Sequence, residues 1–183
     1  MYNIHLSLSS DTRVDIGVDS LTSIVQFLPD QRGSQMLFDF LATSDSATVR
    51  QAVASKSLLS DKTVDVLSGD STLSVRLALL SNDAANQRIE ESRIAEWIAG
   101  DDVDLLLAIL QNLTSMPQLD AKALLRQLSG HRDPSIRLEV ARSTHIDFDL
   151  AKILHADADP DVREAASDWF TAQVPIDEED WEK

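Results

Sequence analysis

Apolar residues in this chain of 183 residues recur at helical spacing, and the same pattern returns several times. Val49, Ala52 and Val53 lie three and four residues apart, so they share one face of a helix. Leu150 and Leu154 follow the same spacing further along the chain. Short stretches rich in Asp, Ser and Pro separate the apolar runs, and these residue types start helices. The pattern predicts a chain of short, paired helices.

A β-branched residue followed by arginine marks each repeated unit. The dipeptide occurs at Val49-Arg50, Val75-Arg76, Ile136-Arg137 and Val162-Arg163. Arg50 and Arg76 are 26 residues apart, and so are Arg137 and Arg163. A period in this range indicates stacked helix pairs, because one pair cannot bury its apolar face alone. We therefore expect an all-α fold, an α-α superhelix (solenoid) of about five to six helix pairs.

Each of these arginines follows an aspartate by a few residues. The four aspartates are Asp45, Asp70, Asp133 and Asp159. The stem of an arginine covers apolar surface, while its planar guanidinium donates two parallel hydrogen bonds to a carboxylate. We expect each arginine to pair with an aspartate of its own or the adjacent repeat, so that these eight residues form a structural ladder. Because such pairs are expected to be partly exposed, each should contribute about 1 kcal/mol or less.

The middle of the chain departs from the pattern. The next unit starts at Asp101-Asp102-Val103-Asp104, and Asp104 stands where an arginine is expected. Residues 86–98 are predicted to form one longer helix. Asp101, Asp102 and Asp104 therefore mark a candidate irregular unit, and the first place to look for a function that the repeats do not encode.

The repeated pattern resembles a known family. Asp45, Val49-Arg50 and Ala54 match the Asp-x-x-x-Val-Arg-x-x-x-Ala pattern of HEAT-like repeats, and the short period with Ser55 after Ala54 is similar to the leucine-rich repeat variant. The resemblance covers residues 34–172. It implies a right-handed superhelix of paired helices with an interaction or scaffolding role, and it implies no particular activity, because one fold supports many functions.

The two ends of the chain differ from the repeats. Residues 1–33 are expected to form an N-terminal cap, either as a β-hairpin or as an irregular segment. The hairpin is indicated by two alternating sets, Ile4, Leu6 and Leu8, then Val14, Ile16 and Val18. Residues 173–183 form an acidic C-terminal tail, for which docking through Trp181 is one expectation and disorder the other.

The net charge of the chain indicates which kinds of partner to expect. The chain holds 31 acidic and 16 basic residues, a formal net charge of −15. Nucleic-acid binding depends on Lys and Arg contacts to phosphate, and several of the arginines here belong to the repeat. We expect no direct nucleic-acid contact and a protein partner, a basic one, on an acidic surface. The other interpretation is that the acidity only keeps the protein soluble.

Several kinds of chemistry have no candidate residues. The chain has no cysteine, which excludes disulfides, zinc–thiolate sites and iron–sulfur clusters. Residues 157–161 have the alternating aspartates of a calcium loop but lack its glycine and glutamate. The four histidines show no metal spacing, and no catalytic set is present. We expect a non-enzymatic protein without metal or cofactor. Because we find no apolar leader and no long apolar stretch, we expect a cytoplasmic protein without membrane contact.

Three functions are consistent with these observations. The first is a non-enzymatic protein–protein interaction scaffold. The second is an inhibitor or immunity-type protein that acts by DNA mimicry. The third is a HEAT-like enzyme or enzyme accessory, which requires a pocket with convergent polar groups.

Overall fold

A computed structural model describes residues 5–9, 12–15 and 17–172. These residues are predominantly α-helical, as the all-α prediction states. The described part contains the helices α1 Val18–Phe27, α2 Gln35–Leu41, α3 Ala47–Ala54, α4 Asp61–Ser68, α5 Leu73–Leu80, α6 Asp83–Asn86, α7 Glu91–Ala99, α8 Val103–Gln111, α9 Ala121–Leu128, α10 Pro134–Arg142, α11 Phe148–His155 and α12 Pro160–Ala172. Short 3-10 turns lie at Arg32–Ser34 and Leu113–Ser115. In this part of the chain, no helix has the length and apolar character needed to cross a membrane.

A two-stranded hairpin precedes the helices. Strand β1, His5–Ser9, pairs antiparallel with β2, Thr12–Asp15, and the register shifts between Ser7 and Ser9. The strands lie within the segments that the alternating pattern predicts, but Val18 begins α1 instead of extending the second strand, and Ile4 and Ile16 fall outside the described residues. The tail at 173–183, with Trp181, also falls outside them.

The chain divides between Ala108 and Ile109 into two compact units. In the first unit α1 packs against α3, and α3 packs against α5, so the first helices of consecutive repeats are in contact. Helix α4 contacts both α3 and α5. Val49 and Val53 of α3 and Val75 and Leu79 of α5 are fully buried. These residues stand one before and three after the arginine of their helix, which is the face that the spacing predicts.

The second unit repeats this packing. Helix α10 contacts α12, and α11 contacts both. Ile136 and Val140 of α10 and Val162 and Ala166 of α12 are fully buried at the same two positions. The dipeptide that marks each repeat therefore places its β-branched residue in the core and its arginine at the edge of the core.

Side-chain caps start several of these helices where the sequence predicts starts. Ser60 accepts a hydrogen bond from the Thr63 N–H at 3.1 Å before α4. Asp147 accepts one from the Leu150 N–H at 3.0 Å before α11. Each cap satisfies one of the N–H groups that a helix leaves free in its first turn.

The helix predicted at 86–98 is wrong, because the chain breaks between α6 and α7. Arg88 lies in the break and donates to the Asp61 carboxylate and, at 3.1 Å, to the Leu59 carbonyl. Ile89 is buried beside it. These contacts hold residues 87–90 against the start of α4, and a new helix begins at Glu91.

Candidate functional site

Arg50 on α3 makes the bidentate pair that the sequence predicts. Its Nε and Nη2 donate to the two carboxylate oxygens of Asp70 at 2.5 and 3.0 Å, and Nη2 also donates to the Thr72 hydroxyl at 3.1 Å. Its Nη1 donates to the carbonyls of Ser44 and Asp45 at 2.7 and 3.2 Å. One guanidinium thus joins the turn before α3 to the turn before α5.

Arg137 on α10 makes the same contacts in the second unit. Its Nε and Nη2 donate to Asp157 at 2.8 and 2.9 Å, and its Nη1 donates to the carbonyls of His131 and Arg132 at 2.7 and 3.2 Å. In both cases the carboxylate lies 20 residues after the arginine. We call these two sets of contacts the arginine row.

The pairs are more buried than the sequence analysis expects. The side chains of Arg50 and Asp70 are 15% and 6% exposed, and those of Arg137 and Asp157 are 15% and 10% exposed. Hydrogen bonds from Arg137 hold the pKa of Asp157 below its usual range. Burial raises the pKa of Asp70, but hydrogen bonds from Arg50 and the Thr72 N–H lower it by more, so that pKa also falls below its usual value.

Three of the four predicted ladder aspartates have other roles, which corrects the sequence prediction. Asp133 and Asp159 cap α10 and α12 by accepting from the N–H groups of Ser135 and Asp161, each at 2.9 Å. Asp45 contributes only its backbone carbonyl. Within the described residues, none of these three carboxylates bonds to an arginine of the repeat. The reason is position, because Asp133 and Asp159 stand four residues before the arginine, where the helix cap lies.

The paired aspartates stand six residues before the arginine of their own repeat. Each of the four residues at this position accepts a hydrogen bond from the N–H two residues further on, at 2.8 to 3.3 Å; they are Ser44, Asp70, His131 and Asp157. This small turn fixes the side chain in place before any arginine reaches it. Asp157 is the functional residue that the ladder prediction missed, and its offset of six from Arg163, the same as that of Asp70 from Arg76, is the signal that identifies it.

Within the described residues, the other two arginines of the repeat make no bond to a carboxylate. Arg163 donates from Nη1 to the carbonyls of Asp157 and Ala158 at 2.7 and 2.9 Å. Arg76 is half-buried, and its Nε is buried without a hydrogen-bond partner in the described part of the chain. The ladder therefore forms at two of its four predicted arginines.

The candidate irregular unit has a local explanation. Asp101 has a positive φ of 55°, which places it in the left-handed region at the end of α7. Asp102 caps α8 by accepting from the Leu105 N–H at 3.1 Å. When the repeats are aligned by their caps, the fully buried Leu106 stands where the arginine stands elsewhere. The prediction that Asp104 takes that place is wrong by two residues, and Asp104 is exposed in the first turn of α8.

A second row of hydrogen bonds ties the other ends of the first helices together. Lys56 Nζ donates to the carbonyls of Gln26 and Leu28 at the end of α1, both at 2.9 Å. Asn82 Nδ2 donates to the carbonyls of Ala54 and Lys56 at the end of α3, both at 2.8 Å. Both donors stand six residues after the arginine of their repeat, and we call these contacts the carbonyl row.

A groove between α10 and α12 holds the acidic side chains that the sequence leads us to expect on a binding surface. It encloses about 820 Å³ and is lined by Ala141, Arg142, Ser143, Thr144, Asp161, Glu164, Ala165, Asp168, Trp169 and Ala172. Asp161, Glu164 and Asp168 are exposed on one face of α12, and Arg142 is the basic residue of the lining. We call this the acidic groove.

The matched groove between α1 and α3 has a neutral face. Its lining includes Thr48, Gln51 and Ser55, which stand at the positions that Asp161, Glu164 and Asp168 occupy on α12. These positions are two before, one after and five after the arginine. The same surface of the repeat is thus uncharged on α3 and carries three carboxylates on α12.

Trp169 adds an aromatic surface to the acidic groove. It is half-buried and packs edge-to-face against Phe170, with ring centroids 5.3 Å apart. It stands at the position that Lys56 and Asn82 use for the carbonyl row. Trp97, in contrast, is buried in the core of its unit. Carboxylates next to an indole form a site suited to cationic side chains, because both attract positive charge.

Within the part of the chain that the structure describes, no three His, Asp or Glu side chains converge as metal ligands. Comparison of the chain with protein-family models, with curated proteins and with solved structures finds no match.

Proposed function

We propose that this protein is a non-enzymatic interaction module of HEAT-like helical repeats, which binds a basic protein or peptide segment in the acidic groove. The observation that supports the proposal is the alignment of Asp161, Glu164 and Asp168 on the exposed face of α12. The matched face of α3 carries no charge, so this row of carboxylates is a feature of α12 and not of the repeat in general.

The repeat architecture is part of the proposal. In each unit the first helices of consecutive repeats contact one another, and the arginine row crosses from one repeat to the next. In the first unit the carbonyl row adds a second connection. This is the arrangement expected of stacked helix pairs in a solenoid.

The chemistry of the groove favours a cationic ligand. A lysine or arginine side chain that enters it meets three carboxylates and one guanidinium, with the indole of Trp169 alongside. Within the described residues, Arg163 makes no hydrogen bond to these carboxylates, because its Nη1 donates to the carbonyls of Asp157 and Ala158. Charge complementarity of this kind raises the association rate and selects partners by sign.

DNA mimicry fits this surface less well. With a rise of about 1.5 Å per residue, the three carboxylates span about 10.5 Å of α12, or one charge per about 5 Å. A DNA duplex carries one charge per about 1.7 Å of its axis. The face of α12 is therefore too sparsely charged to replace a duplex, but it is dense enough for a short basic segment.

A binding titration tests the proposal. The full-length protein is titrated against a fluorescein-labelled peptide that alternates lysine and glycine, with anisotropy as the readout. The triple variant Asp161→Asn, Glu164→Gln and Asp168→Asn neutralises the acidic groove, and its affinity for the peptide is expected to fall at least about tenfold.

A matched control carries Asp65→Asn, Glu91→Gln and Asp149→Asn, three exposed carboxylates outside the groove lining. Both variants change the net charge equally. The control is expected to stay within about twofold of the unsubstituted protein, because distant charges are screened in salt. Equal losses in the two variants would show attraction by overall charge and would contradict a groove site.

A further inference from the structure

Arg76 occupies a place in the repeat where two other arginines hold a carboxylate. Arg50 and Arg137 each donate two parallel hydrogen bonds to an aspartate from the turn that precedes the next first helix. Arg76 stands on α5 at the matching position, directly after the buried Val75. Unlike the other three arginines of the repeat, Arg76 donates no hydrogen bond to the carbonyls six and five residues before it within the described residues.

The described residues supply no carboxylate for Arg76. The residue 20 positions further on is Glu96, which pairs instead with Arg93 at 2.5 Å. Aligned by the helix caps, the residue that matches Asp70 and Asp157 in the turn before α8 is Gly100, which has no side chain. The break between α6 and α7 lengthens this repeat and removes the regular spacing.

The consequence is a guanidinium with an unused donor. Arg76 Nε is buried and has no hydrogen-bond partner in the described part of the chain, while the Arg76 side chain as a whole is half-buried. A buried donor without an acceptor is costly, and an arginine fork matches the geometry of a carboxylate better than that of other common acceptors.

We propose that Arg76 is a binding point for a carboxylate that comes from outside this chain, an acidic side chain or the C-terminal carboxylate of a peptide partner. The partner would complete the arginine row at the repeat of Arg76, where the described residues leave it incomplete. This site lies in the first unit and selects a negative group, so it is independent of the acidic groove and goes beyond the proposed function.

The experiment follows the Nε–H resonances of the arginines by NMR in the full-length ¹⁵N-labelled protein. Sodium acetate is added as the probe, and sodium chloride at equal ionic strength is the control. The Arg76 resonance, assigned by its loss in Arg76→Lys, is expected to shift saturably with acetate and not with chloride. The resonances of Arg50 and Arg137 are internal references, because their Nε–H groups already donate to Asp70 and Asp157.

Two peptides with acetylated N-termini then distinguish the two possible sources of the carboxylate. One carries a single internal aspartate and an amidated C-terminus, and the other carries no acidic side chain and a free C-terminus. The peptide that shifts the Arg76 resonance at the lower concentration identifies the source. An Arg76 resonance that acetate does not move would overturn the site, and a shift with acetate but with neither peptide would overturn the peptide partner.

A thermal measurement gives a second readout. Acetate is expected to raise the Tm of the unsubstituted protein above its value in chloride, because a ligand that binds only the folded state stabilises it. Arg76→Lys keeps the charge but loses the planar fork, so its Tm is expected to be the same in the two salts. An equal response of both proteins to acetate would count against Arg76 as the binding point.

Discussion

Asp70 accepts hydrogen bonds from two directions, and this explains why a single residue type at a single position can join two repeats. The Thr72 N–H donates to it at 2.8 Å from its own turn, and Arg50 donates to both of its oxygens from the preceding repeat. The local bond orients the carboxylate before the arginine reaches it. A serine at the same position, Ser44, keeps the local bond but offers no charge.

Replacing the carboxylate of Asp70 with an amide should show the strength of this pair. Asp70→Asn keeps one acceptor oxygen but leaves the largely buried guanidinium of Arg50 without its counter-charge, so the free energy of unfolding is expected to fall by about 2–3 kcal/mol. The matched control is Asp61→Asn, since Asp61 pairs with Arg88 but is 93% exposed. Its loss should stay below about 1 kcal/mol, as for other surface pairs. Urea denaturation of both variants measures the difference, and losses of equal size would mean that burial does not strengthen the pair.

The lowered pKa values of Asp70 and Asp157 predict how stability depends on pH. A carboxyl group with a lower pKa in the folded state stabilises the fold while it is charged. This contribution is fully present above the pKa of the unfolded state, about 3.9, and is lost as the pH falls through the folded-state pKa. Asp157→Asn should therefore show a shallower loss of stability below about pH 4 than the unsubstituted protein. Denaturant unfolding at a series of pH values tests this, and parallel curves would refute it.

Helices α3 and α5 are held together at both ends, and Asn82 is the connection at the later end. Its Oδ1 accepts from the Ala84 N–H at 3.1 Å, while its Nδ2 donates to the carbonyls of Ala54 and Lys56. Asn82→Asp keeps the acceptor and removes both donors, which turns a carboxylate toward two carbonyl oxygens. We expect it to lower the free energy of unfolding by about 2 kcal/mol.

Gln87→Glu is the control for that substitution, because it makes the same chemical change on an exposed side chain that donates only to the Asp83 carbonyl at 3.2 Å. Its effect should be a few tenths of a kcal/mol. Thermal or urea unfolding of the two variants measures the contrast. A larger loss in Gln87→Glu than in Asn82→Asp would contradict a stabilising carbonyl row.

Elements whose start and buried face are both encoded locally are predictable from the sequence. Helices α10 and α12 each begin at a proline that follows a capping aspartate, and their apolar spacing marks the buried side. The break at 87–90 is not predictable in this way, because the contacts that cause it join Arg88 to residues of a different helix pair. The tertiary contacts of Arg88 override the helical spacing of the segment around it.

The same distinction applies to the candidate sites. The pairing of Arg50 with Asp70 follows from the repeat. The role of Asp157 is harder to predict, because the pairing residue stands two positions before the aspartate that caps the helix. The sequence predicts an acidic surface, but it does not predict which residues form the acidic groove. Composition counts carboxylates, but only the packing of α10 against α12 shows that Asp161, Glu164 and Asp168 share a groove.

At the scale of the whole molecule, the charge predicts a response to salt. A net charge of −15 makes the folded protein repel itself, and added salt screens this repulsion with a Debye length of about 10 Å at 0.1 M. The Tm is expected to rise by a few degrees between low and moderate sodium chloride, because the repulsion is stronger in the compact state than in the unfolded chain. Choline chloride should give the same rise if screening is the cause. A fall in Tm with either salt would mean that attractive ion pairs outweigh the repulsion.

The positions that hold the first helices together differ from those of the three-residue groove face, and they share the groove lining at the residue six after the arginine, where Lys56 and Trp169 stand. The arginine and carbonyl rows use the arginine itself, the residue six before it and the residue six after it, whereas the groove face uses the residues two before, one after and five after. An acidic triplet and a neutral one occupy this face on two helices of the same design. The triplet itself takes no part in either row, so a designer could exchange the triplets between repeats to change what a groove binds while keeping the contacts that assemble the scaffold.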